Sequence, residues 1–73
     1  MLIMRNVKYV VYQEGKYFVS QCLNVDVSSF GESIDEAVFN LKDAVALYLK
    51  EEPNIHEYID VGDALIGEAT IHA

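Results

Sequence analysis

With a single cysteine, Cys22, this 73-residue chain cannot staple itself with a disulfide. Its two histidines, His56 and His72, stand too far apart to complete a zinc set with that thiol. There is no tryptophan and only one proline. No apolar run approaches the roughly 20 residues of a membrane span. The opening Met1-Leu-Ile-Met-Arg lacks the basic start and long apolar core of a secretory leader. A cytoplasmic protein with a reduced thiol is the expectation. Basic residues are scarce too: five against twelve acids, for a net charge of −7. DNA, RNA and anionic membranes are bound through Lys and Arg, so direct contact with any of them is not expected. A basic protein partner suits the charge better.

What is abundant is apolar surface. The apolar fraction is 52%, high for a single small domain spanning residues 1–73. A chain this short buries only a little over half of its unfolded surface. Without a disulfide or metal, self-association is the remaining support, as a homodimer or higher homo-oligomer. Residues 7–13, VKYVVYQ, are β-branched and aromatic and predict a strand. Glu14-Gly15 follows, and residues 16–23, KYFVSQCL, predict a second strand closing a hairpin. Asn24 interrupts briefly, and residues 25–30 predict a short third strand with Val25 and Val27 on one face.

Gly31 breaks the strand pattern and can take positive φ. Ser33-Ile34-Asp35-Glu36 fits a capping box, with Ser33 accepting from the Glu36 N–H and Glu36 reaching back to the Ser33 N–H. Apolar residues recur at Ile34, Ala37, Val38, Leu41, Ala44, Val45, Tyr48 and Leu49, the i, i+3, i+4, i+7 spacing of an amphipathic helix. Lys50 suits the negative end of that helix and Pro53 stops it. Residues 51–63 read as a connection, with a short extra turn at 55–59. Residues 64–72, ALIGEATIH, predict a last strand with Leu65, Ala69 and Ile71 on one face. The fold class is therefore α+β: a βββαβ antiparallel sheet with one helix packed on one face.

Two sets of apolar residues have no place in that core. On a helical projection Phe39 and Leu47 fall off the stripe, with Phe39 near Asp43, Ala46 and Lys50. Scattered apolar residues are normal on folded surfaces, so a contact face and an ordinary exposed face both remain open. The strands carry Tyr9, Val10, Val11, Tyr12, Tyr17, Phe18 and Val19 in both alternation phases, whereas a sheet with one wet face alternates cleanly. Phe39, Asp43, Leu47 and Tyr12 are the candidate interface residues.

Chemistry is harder to find. Asp26, Asp35, Glu36 and Asp43 are the acids a two-metal nuclease would draw on, but capping and helix-surface roles already account for three of them. Cys22 reads as a small buried hydrophobe without a neighbouring base. Ser28 and Ser29 lack a nucleophile-elbow context, and glycines 15, 31, 62 and 67 form no phosphate cradle. No catalytic residue, metal ligand or cofactor is expected, and the chain reads as a non-enzyme.

Several motifs occur together in order. They are Gly15-Lys16-Tyr17-Phe18-Val19 with Cys22-Leu23, then Gly31-Glu32-Ser33-Ile34-Asp35-Glu36-Ala37, then Asn40-Leu41-Lys42-Asp43-Ala44 with Tyr48-Leu49. Over residues 7–50 the chain resembles the HicB family of antitoxins from bacterial and archaeal toxin–antitoxin pairs. The resemblance implies a partly degraded ribonuclease H-like domain without nuclease carboxylates. It also implies a partner, a small basic HicA-type toxin that cleaves mRNA and is blocked by protein contact. Family members usually add a DNA-binding module after this domain. The sequence to Ala73 contains none, so transcriptional autoregulation by this chain alone is not expected. Two alternatives stand beside this reading: an orphan self-associating module with another protein partner, and a residual ribonuclease.

Overall fold

The computed structural model describes residues 5–51 and 58–72. Three antiparallel strands, β1 (Tyr9–Glu14), β2 (Tyr17–Cys22) and β3 (Ser28–Gly31), form one sheet in the order β1-β2-β3. One helix, α1 (Ile34–Glu51), packs across β2 and β3. This is an α+β fold.

The β1–β2 hairpin pairs Glu14 with Tyr17, leaving Gly15-Lys16 as a two-residue loop. Gly15 has φ +62° and Lys16 does not share the positive sign, the pattern of a II′ turn whose twist matches the flanking strands. Between β2 and β3 the chain tightens. The Val27 N–H donates to the Val25 carbonyl (2.9 Å), a three-residue γ-turn with Asp26 at its apex. The expected third strand at 25–30 therefore begins only at Ser28. Val25 goes into the core, 4% exposed, from the turn rather than from the sheet.

Register assigns the sheet's two faces. Val11 pairs with Ser20 and Tyr9 with Cys22, and Ser29 opposes Ser20 across β3, so these residues share the helix side. Tyr12, Val19 and Phe30 line up on the other face with Val10 and Tyr17.

Small side chains decide how closely α1 sits. The Ser20 hydroxyl donates to the Ala37 carbonyl at 2.7 Å, with both residues fully buried. A Cβ on Gly31 would lie 2.7 Å from the Ala37 nitrogen and 2.8 Å from the Glu36 side chain. Gly31 does not have positive φ. It is required for space, not for a left-handed backbone. Ser20, Gly31 and Ala37 thus bring helix backbone against strand backbone. Ile34, expected on the buried stripe, precedes this contact and stays 54% exposed.

The cap forms with one change. Ser33 Oγ accepts from the Glu36 N–H (3.1 Å), as expected. The Glu36 carboxylate reaches past Ser33 and accepts from the Glu32 N–H at 3.0 Å. Beyond the cap, Ala37, Leu41 and Val45 are buried at i, i+4, i+8, and Cys22 and Val25 close the core against them. Helix α1 ends at Glu51. Pro53, His56 and most of the expected 55–59 turn lie outside the described residues.

The expected last strand is corrected. Residues 58–72 contain no strand, and Leu65, Ile66 and Ile71 are 92%, 73% and 77% exposed. A strand exists only where a neighbouring backbone pairs with it, and this segment runs clear of its own sheet. Its root is nevertheless anchored. The Ile59 N–H donates to the Asn24 carbonyl (2.9 Å), the Asn24 amide donates to the Ile59 carbonyl (2.7 Å), and Asn24 Oδ1 accepts from the Lys8 N–H (2.6 Å). The Tyr58 hydroxyl donates to the Asn6 carbonyl at 2.8 Å, with Arg5 over its ring, and the Lys8 ammonium donates to the Gly62 carbonyl.

Candidate interaction surfaces

Helix α1 turns Ala37, Leu41 and Val45 inward, so residues about half a turn away face solvent. Phe39, Asp43 and Leu47 follow one another at four-residue spacing and form a single row. Phe39 is 71% exposed and Leu47 56% exposed, with exposed Asp43 between them. At 1.5 Å per residue the row spans roughly 12 Å. Asp35 extends it at the N-terminal end and is exposed. The helix backbone beneath is held by the Ser33 cap, the Ser20–Ala37 bond and a bond from the Asn40 amide to the Phe30 carbonyl (2.9 Å). The row is an apolar and acidic ridge on a fixed support.

Tyr12 belongs to a different surface. It lies on the open sheet face, on the far side of the sheet from α1, 48% exposed. Its neighbours there are Val10 and Val19, both half-buried, and Tyr17 and Phe30, 37% and 61% exposed. The Tyr17 and Phe30 rings meet edge to face, 5.8 Å apart at 81°. Such a contact adds specific geometry to apolar area. A shallow depression of about 450 Å³ runs between Tyr17, Val19 and Phe30, with Glu14 at its rim. The structure thus brings Phe39, Asp43 and Leu47 together and leaves Tyr12 apart. Tyr17 and Phe30, the larger part of the sheet-face patch, are not among the candidate interface residues that the sequence names. Their signal was the apolar content of both strand phases, which does not say which residues share the uncovered side.

The candidate acids do not converge. Asp26 is exposed at the γ-turn apex, Asp35 and Glu36 sit in the first helical turn, and Asp43 lies midway along the outer helix face. Glu36 is occupied with the Glu32 N–H. Among the described residues no group of three or more His, Cys, Asp or Glu side chains could hold a metal ion. Cys22 is 3% exposed among Val25, Leu41 and Val45, and His72 is exposed. No described helix is long and apolar enough to cross a membrane. The comparisons with family models, with curated proteins and with solved structures returned no match to this chain.

Proposed function

We propose that the chain is a non-enzymatic antitoxin domain of the HicB kind, which neutralises a HicA-type mRNA-cleaving toxin by covering its surface. The observation that carries this reading is the Phe39–Asp43–Leu47 ridge: two large apolar side chains exposed in line on a fixed helix, flanked by acid. A small basic toxin is complementary to it. The net charge of −7 steers the encounter, and desolvated Phe and Leu supply the tight contact. The order β1-β2-β3-α1 with an antiparallel sheet supplies the first four elements of the βββαβ order that this reading implies, without its last strand. On this reading the chain acts in the cytoplasm, where mRNA is, and needs no cofactor.

The aromatic sheet face supports a second reading, an orphan self-associating module. Tyr12, Tyr17 and Phe30 form a second exposed apolar surface, on the side of the sheet away from the α1 ridge. Co-expression separates the two. The first reading expects the chain to rescue growth arrest by a neighbouring HicA-type toxin, and Phe39→Asp/Leu47→Asp to abolish rescue while the circular dichroism spectrum stays unchanged. Absence of rescue and of binding by the unmodified chain would sink the antitoxin reading and leave the second standing.

A further inference from the structure

We propose that residues 63–72 form an exchanged strand: the arm of one copy adds to the open edge of β1 in a second copy, and the second copy returns its own. From Leu65 on, one phase is small or apolar throughout, Leu65, Gly67, Ala69 and Ile71, while the other passes from Ile66 to the polar Glu68, Thr70 and His72. That is the pattern of a strand with one buried face, yet all ten residues are exposed in the single chain.

The complementary surface is on the same chain. Helix α1 lies over β2 and β3 and barely touches β1. On the helix side of β1, Tyr9 is 41% exposed, Val11 half-buried and Gln13 exposed. The outer backbone edge of β1 is unpaired in the sheet order β1-β2-β3. An added strand would take up those backbone groups and lay Leu65, Ala69 and Ile71 beside Tyr9 and Val11, extending the core sideways.

Three observations favour a second copy over a return to the chain's own sheet. The arm is rooted by Asn24, Lys8 and the Gly62 carbonyl and then departs, giving a molecule of 50 × 26 × 19 Å. Ten extended residues reach roughly 33 Å, beyond the short dimensions of the domain. The chain exposes 6322 Å², whereas a compact monomer of its mass exposes about 4500 Å². The excess, about 1800 Å², exceeds the ~800 Å² per partner of a standard interface. The radius of gyration, 14.1 Å, likewise exceeds the ~11 Å of a compact chain of this length. Because each copy brings one arm and one open edge, a two-fold pair closes with neither left over.

The test needs no toxin and stands or falls apart from the antitoxin reading. Light scattering of the full chain at high micromolar concentration should give twice the 8.2 kDa chain mass. Amide exchange should show protection across residues 64–71 that is lost on dilution to monomer. Leu65→Asp/Ile71→Asp should give a monomer with an unchanged helix signal, since both positions are exposed in the single chain, whereas Thr70→Asp, in the polar phase, should remain dimeric. A monomer overturns the proposal, whether its arm is protected by folding back or unprotected. So does a dimer whose arm exchanges freely, or one that survives Leu65→Asp/Ile71→Asp. Should that variant fail to fold, amide exchange and mass on the unmodified chain still decide.

Discussion

Asn24 is 3% exposed and holds three parts of the chain together: residue 8 ahead of β1, the end of β2, and residue 59 beyond the helix. Asn24→Ala removes two side-chain hydrogen bonds, of 2.6 and 2.7 Å, and orphans the Lys8 N–H and the Ile59 carbonyl. Each bond is worth ~1 kcal/mol net, and a buried group left unpaired costs ~1–3 kcal/mol. Lys8 and Ile59 are both exposed residues, so water can satisfy part of what is orphaned. The expected loss is therefore at the low end, about 2 kcal/mol. A domain of this length has roughly 4–11 kcal/mol in total. With a urea slope near ~1 kcal/mol/M, the unfolding midpoint should fall by about 2 M. Hydrogen exchange supplies the local readout: the Lys8 amide should lose protection first, and the Ile59 amide should follow as the clamp loosens. A midpoint shift below about 0.5 M with unchanged exchange at Lys8 would refute the claim that Asn24 ties these segments together.

Two further perturbations address the helix seat. Gly31→Ala forces a methyl to within 2.7 Å of the Ala37 nitrogen, and since a backbone atom must move, a loss of ~1–3 kcal/mol is expected in urea unfolding. Leu41→Ala opens a cavity at a residue 1% exposed among Cys22, Val25 and Val45, and should cost ~2–5 kcal/mol, enough to leave much of the chain unfolded by circular dichroism at 37 °C.

Much of the fold was legible because it rests on local rules. Gly15 in a two-residue loop, the Ser33 cap and the Ala37–Leu41–Val45 stripe each follow from neighbours within a turn or two of chain. What was not legible depended on how the elements pack against one another. Asn24 looked like an interruption because its partners are 16 and 35 residues away. Gly31 can take positive φ but does not use it; its neighbours, Glu36 and Ala37, require that no Cβ be present. Residues 64–72 have the alternation of a strand, but alternation names a buried face without naming the backbone that pairs with it. At the candidate surfaces, helical spacing put Phe39, Asp43 and Leu47 in one row, while only strand register could set Tyr12 beside Val19, Phe30 and Tyr17 on the opposite side of the sheet.

By itself the amino-acid sequence determined the three strands of the meander, the capped helix with its apolar stripe, the surplus of apolar side chains and the acidic balance. Those depend on periodicity and composition, which act through short-range geometry. The tertiary structure alone decided where the surplus goes: a ridge on α1, an aromatic sheet face, and an exposed arm unpaired with its own sheet, whose β1 edge is open. The reason is that an exposed face is defined by what fails to cover it, and covering is a property of the assembled elements.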